Sequence, residues 1–241
     1  MVETDLAAIQ RTIREVFAPV KAAPRNETTM IGTSEPMQRA FAAIAQASGC
    51  DTPVLLQGPP GSGKSLAAEV IHRHSARSDK PLTVFRADEW PEDRAEAALD
   101  GAIHQAAEGV LFLDEISTWP KPLQAVLMHR ITAGKLRARL FSASSQDLAA
   151  KVAEGTFRED LFYALAVLRV LLPPLRERTG DIPALAASRT GDLALSAEAL
   201  AALKSHAWPG NVRELQTALA HAVAVCGGNT ILPHHLPAHL T

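Results

Sequence analysis

Gly58, Gly61, Gly63, Lys64 and Ser65 follow one another in the order GPPGSGKS, and residues of these types can hold a chain of phosphates. Glycines let successive backbone N–H groups turn inward onto anionic oxygens, and a helix that starts there adds the positive end of its dipole. A lysine at this spacing reaches β- and γ-phosphates, and the hydroxyl after it can ligate Mg²⁺. The spacing GxxxxGK[ST] is that of a P-loop, which carries meaning only between a strand and a helix. Val54, Leu55 and Leu56 supply the apolar run before it, and residues 66 to 72 have a helical pattern. Gly58, Pro59, Pro60, Gly61, Ser62, Gly63, Lys64, Ser65 and Leu66 are therefore read as a binding segment for ATP or ADP, with Ser65 a Mg²⁺ ligand. A second signal is GVLFLDEIS, an apolar run ending in Asp114 and Glu115. Acids at the carboxyl end of a buried parallel strand face the ligand crevice. Asp114 is placed to hold the Mg²⁺ shell, and Glu115 to orient or deprotonate an attacking water.

These groups need a scaffold, and the chain is long enough to build one. It has 241 residues, 47% of them hydrophobic, and a formal charge of −2. That balance gives no reason to expect a nucleic-acid surface. No apolar run reaches membrane-spanning length, and the N-terminus is acidic where a signal peptide is basic. Cys50 and Cys226 lack ligand spacing, which suits a reduced, cytoplasmic protein.

Residues 4 to 20 read as an amphipathic helix with Leu6, Ile9, Ile13, Val16, Phe17 and Val20 on one face. Ser34 and Pro36 mark the start of the next helix. Short strands are expected over the apolar runs 54–56, 82–85, 110–113, 140–143 and 168–172, alternating with helices. That alternation predicts an α/β fold with a five-stranded parallel sheet in a three-layer αβα sandwich. After Arg178 strands are expected to cease and a small α-helical lid to follow. The divisions are 1–28 for helix and linker, 29–175 for the nucleotide-binding domain and 176–241 for the lid. His234, His235 and His239 read as a solvated tail, and Trp90, Trp119 and Trp208 as packing residues.

IGTSEPMQ, VLFLDEIS, GTFREDLFYAL, LLPPLRERTGDIP and WPGNVRELQ together resemble the AAA+ ATPase domain of bacterial sigma-54-dependent enhancer-binding proteins. The resemblance covers about residues 30 to 238. It implies ring assembly with ATP sites at subunit interfaces, Ile31 and Gly32 near the adenine, and Arg213 as a sensor arginine reaching the phosphates. Arg158 would be one of two arginines offered to the neighbouring subunit's ATP.

Several family features are replaced. No GAFTGA-like run, the family's sigma-54-contacting loop, lies between Arg86 and Asp114. The asparagine that restrains the catalytic glutamate aligns with Arg86, and the two sensor polar residues align with Ser144 and Ser145. The second interface arginine falls on Ala164. An arginine finger supplies about 10³–10⁵ in rate, or about 4–7 kcal/mol of barrier. The family's usual sensory domain in front and helix-turn-helix behind are not expected here. The resulting expectation is an ATP-binding regulatory protein that joins a complete sigma-54 activator or another AAA+ subunit, as a homo- or hetero-oligomer without direct DNA contact. A stand-alone ATPase acting on another protein, and a nucleotide-binding pseudoenzyme, are the alternatives.

Overall fold

A computed structural model describes residues 29 to 240; the helix expected over residues 4 to 20 lies outside them. The described chain forms two compact units, one of residues 42–58 and 64–172, the other of residues 29–41, 59–63 and 173–240. Helix α1 (Glu35–Ser48) opens it.

The first unit holds β1 (Val54–Gln57), α2 (Lys64–Arg73), β2 (Leu82–Arg86), α3 (Glu92–Ala106), β3 (Val110–Asp114), α4 (Lys121–Thr132), β4 (Arg139–Ser144), α5 (Leu148–Ala153), α6 (Glu159–Leu165) and β5 (Leu168–Leu171). The strands form one parallel sheet in the order β2-β3-β4-β1-β5. VLLQ, VLFLD and RLFSAS are buried almost throughout, as central parallel strands covered on both faces must be. The edge strands alternate instead: Val84 of β2 and Leu171 of β5 face outward. β5 ends one residue earlier than expected, although Leu172 still donates its N–H to Gln57 O at 2.7 Å. Leu55, Phe85, Leu99, Leu111, Leu113 and Leu127 lie in the core of this unit. Trp119 is 5.2 Å from Phe85 in an edge-to-face pair, so it packs, as expected.

Register then places the chemistry. Gln57 pairs with Ser144, and Arg86 with Asp114, so the polar strand ends lie level at the carboxyl edge. The chain leaves β1 there, and its next strand is at the far edge of the sheet. This is the crevice where α/β sheets bind ligands.

The second unit contains α7 (Ile182–Thr190), α8 (Ala197–Ser205) and α9 (Asn211–Val225) around Leu175, Ile182, Leu203, Trp208, Leu215 and Leu219. Ser196 caps α8 by accepting the Ala199 N–H at 3.1 Å. Strands do not cease after Arg178, contrary to the expectation. β6 (Ala194–Leu195) and β7 (Thr230–Ile231) form a two-residue parallel pair, too short to leave a periodic pattern. Trp208, with φ of 52°, is buried and donates its indole N–H to Leu203 O at 2.7 Å. Ser34 does not cap α1 with its hydroxyl, which donates instead to Asp181 Oδ2 at 2.7 Å. The fully buried Asp181 also accepts the N–H groups of Thr33 and Ser34, at 2.7 and 2.9 Å.

Candidate functional site

Lys64 opens α2 and is 6% exposed. Its ammonium donates to Gly58 O at 2.9 Å and pairs with Glu115 Oε1 at 2.9 Å. The other Glu115 oxygen accepts the Ser145 N–H at 2.9 Å. Glu115 itself has φ of 47° and ψ of 48°, a left-handed conformation costing a non-glycine residue about 1–2 kcal/mol. Both side-chain oxygens are thus anchored where the backbone is strained. Burial alone would raise the Glu115 carboxyl pKa. Hydrogen bonds from Ser145 and Lys64, and the ammonium charge, outweigh burial and hold it below the usual glutamate value.

Asp114, one residue earlier, is also anchored through both oxygens. Its Oδ1 accepts the Glu115 N–H at 3.1 Å, and its Oδ2 accepts from Arg86 Nε at 3.0 Å. Arg86 additionally reaches Glu89 at 3.2 Å. The arginine at the expected asparagine position therefore binds Asp114, whereas Glu115 is held by Lys64 and the Ser145 backbone. Arg86 is stabilised in its charged form by the Asp114 bond first and the Glu89 bond second.

The loop between β1 and α2 has the conformation a phosphate cradle requires. Gly61 and Gly63 have φ of +75° and +108°, values that side chains rarely tolerate. A Cβ on Gly61 would also collide with the Gly210 carbonyl and come within 3.1 Å of the Cβ of Arg213, in α9. The Gly61 carbonyl accepts from Val212 N at 3.1 Å, and Pro60 O accepts from Asn211 Nδ2 at 2.9 Å. Ser62 carries a buried hydroxyl with no partner. Its carbonyl accepts from Arg178 Nη2 at 3.1 Å. Two positive-φ glycines and an orphaned buried hydroxyl in one loop fit a phosphate ligand.

The remaining candidates are placed as follows. Ile31 is half-buried against the helical core, and a Cβ on Gly32 would crowd Met37 and Asp181. Arg158 precedes α6 and forms a two-pronged pair with Asp160, at 3.0 and 2.6 Å. His239 lies apart from a purely solvated tail: it joins His206 and Glu214, their ligand atoms within 4.8 Å of one another. His206 Nδ1 already accepts the Trp208 N–H at 3.1 Å. Its other nitrogen therefore carries the proton in the neutral ring, and the cluster is not poised to ligate a metal.

The family model described as Sigma-54 interaction domain matches residues 31–175, and the one described as AAA+ ATPase lid domain matches residues 176–241. The chain belongs to the Sigma-54 interaction domain family. It is 36% identical to the DNA-binding transcriptional regulator NtrC of Escherichia coli strain K12, over 88% of this chain and 53% of NtrC. It spans about half the length of the curated relatives it matches. NtrX from Brucella abortus superposes with TM-scores of 0.81 in its ADP complex and 0.80 in its ATP complex, each at 27% identity. Those matches cover 98% and 97% of this chain and 60% of NtrX in each case.

Within this sigma-54 interaction domain the match to NtrC runs over 250 residues yet takes in only 88% of 241, so the matched stretch is longer in NtrC. Between β2 and β3 this chain has a 3-10 turn at Ala87–Glu89 and helix α3, with no GAFTGA-like run. Three residues have roles that their side-chain types do not announce. Ser145 acts through its backbone N–H, which no side-chain identity reports. Arg178 and Asp181 are buried members of LRERTGDIP, a motif visible in sequence whose role only its contacts reveal.

The Lys64–Glu115 pair has a pH signature. Because the folded Glu115 pKa is depressed, its stabilisation is present above the ordinary glutamate value of about 4.3 and is lost as pH falls through the lower folded value. Urea unfolding should therefore show wild type more stable than Glu115→Gln at neutral pH, with the difference shrinking below about pH 4.3.

Proposed function

We propose that this chain is an ATP-binding regulatory subunit that co-assembles with a complete sigma-54 activator and modulates it. The observation that carries this reading is an imbalance. The groups acting on the chain's own nucleotide (Lys64, Ser65, Asp114 and Glu115) are all present, and Lys64 and Glu115 are joined at 2.9 Å. The groups a subunit gives away are depleted: Ala164 stands at the second finger position, and the sigma-54-contacting loop has no counterpart.

In this reading the phosphates of ATP or ADP lie on residues 58–65, with Ile31 and Gly32 beside the adenine and Arg213 reaching the phosphates from the lid. A phosphate competes with Glu115 for the Lys64 ammonium, and its arrival frees the carboxylate to orient water. Mg²⁺, when bound, screens phosphate charge; Ser65 and Asp114 would hold it. Arg158 leaves Asp160 to serve the neighbouring subunit. NtrX, with its ADP and ATP complexes, supports the nucleotide assignment by similarity. Among the described residues no helix is long and apolar enough to cross a membrane.

Light scattering tests the assembly claim directly. Mixing the chain with an NtrC-type activator in ATP should yield particles containing both, at sizes neither forms alone. Independent elution at every ratio would remove the regulatory reading. A nucleotide-binding pseudoenzyme is the second reading, favoured by the Arg86–Asp114 bond, and it predicts tight ATP binding without turnover in any mixture.

A further inference from the structure

A divalent metal approaching Asp114 meets a carboxylate already bonded to a cation: Oδ1 accepts the Glu115 N–H and Oδ2 accepts from the Arg86 guanidinium. We propose that Arg86 is a tethered counter-cation for Asp114, so that nucleotide binds this pocket with little help from Mg²⁺. The metal gains its place only when Arg86 turns to Glu89.

Three observations support it. Arg86 and Asp114 are register partners on adjacent strands β2 and β3, so the sheet itself holds the two side chains together. Their exposures differ: the Asp114 side chain is 13% exposed and the Arg86 side chain 43%. The acid is confined, and the base has room to leave. Glu89 then offers the departing guanidinium a second carboxylate, already in contact at 3.2 Å and itself 58% exposed. An ion entering beside Asp114 meets a like charge, and the Arg86 Nε–H already gives one carboxylate oxygen a single charge-assisted bond. Arg86 and Mg²⁺ are thereby competing ligands of one group, and competition of this kind is reciprocal. Arg86 is a positioning residue here, acting on the metal through Asp114.

The inference rests on the reading that the pocket binds nucleotide, and the test separates the two. Affinity for a fluorescent ADP analogue is measured on the full chain, once with excess Mg²⁺ and once with EDTA. Wild type should show nearly equal affinities. Arg86→Asn should make binding metal-dependent by at least about fivefold, the lower end of typical coupling. Arg86→Lys, which keeps the charge, should stay close to wild type. Glu89→Gln should not raise metal dependence, because it leaves Arg86 only Asp114; a merely structural bridge would give this variant and Arg86→Asn similar effects. Binding of Mn²⁺ to the ADP complex, followed by electron paramagnetic resonance, should tighten in Arg86→Asn. Metal dependence in wild type equal to that of Arg86→Asn would overturn the proposal while leaving the nucleotide reading intact. Folded wild-type protein that binds no ADP under either condition would overturn both.

Discussion

Lys64→Ala is expected to weaken ATP and ADP binding by about 100- to 1,000-fold. The size of the loss follows from the bonds removed. Hydrogen bonds to charged groups contribute about 1.5–3 kcal/mol each, and loss of two such bonds to phosphate oxygens, at about 1.5–2 kcal/mol apiece, is worth two to three decades at about 1.4 kcal/mol per tenfold. Lys64 is 6% exposed and already aimed at Gly58 O, so its ammonium is positioned before a ligand arrives and little binding energy goes into ordering it. The fold should survive, because Glu115 retains the Ser145 N–H and is about one-third exposed. Titration of a fluorescent ADP analogue into both proteins, with circular dichroism as the folding control, measures this. Lys64→Arg should not restore affinity, since a planar guanidinium does not replace a compact ammonium.

The parts of the fold legible in the sequence were those with a pattern dense enough to have one reading. VLLQ, VLFLD and the residues around LFSA are short, almost wholly apolar runs between breakers, and they form the three central strands. GPPGSGKS was legible because its glycines answer a backbone demand, met here at Gly61 and Gly63. Polar destinations were less visible. Nothing about Arg86 as a residue type says whether it turns to Asp114 or Glu115; the register between β2 and β3 settles that. The hydroxyl of Ser34 suggested a helix cap, but Asp181, distant in sequence, supplies a buried carboxylate that outcompetes the local bond. The β6–β7 pair rests on two residues per strand, below the length at which alternation can be read.

In the proposed function this chain owns a competent nucleotide pocket and depends on a neighbour for the arginines that complete it. Arg158 is tied to Asp160 at 2.6 Å and Ala164 offers no charge, so a ring of this chain alone should turn over slowly. Fingers from a complete subunit supply about 10³–10⁵ in rate where they reach a pocket. The deciding measurement is ATP hydrolysis by the wild-type chain mixed with an NtrC-type activator whose own P-loop lysine has been replaced by alanine, so that only the pocket around Lys64 can work. Turnover should rise with the proportion of the disabled activator and vanish when Glu115→Gln replaces the wild-type chain. A mixture no faster than the chain alone at every ratio, with ATP still bound, would contradict the dependence on a neighbour.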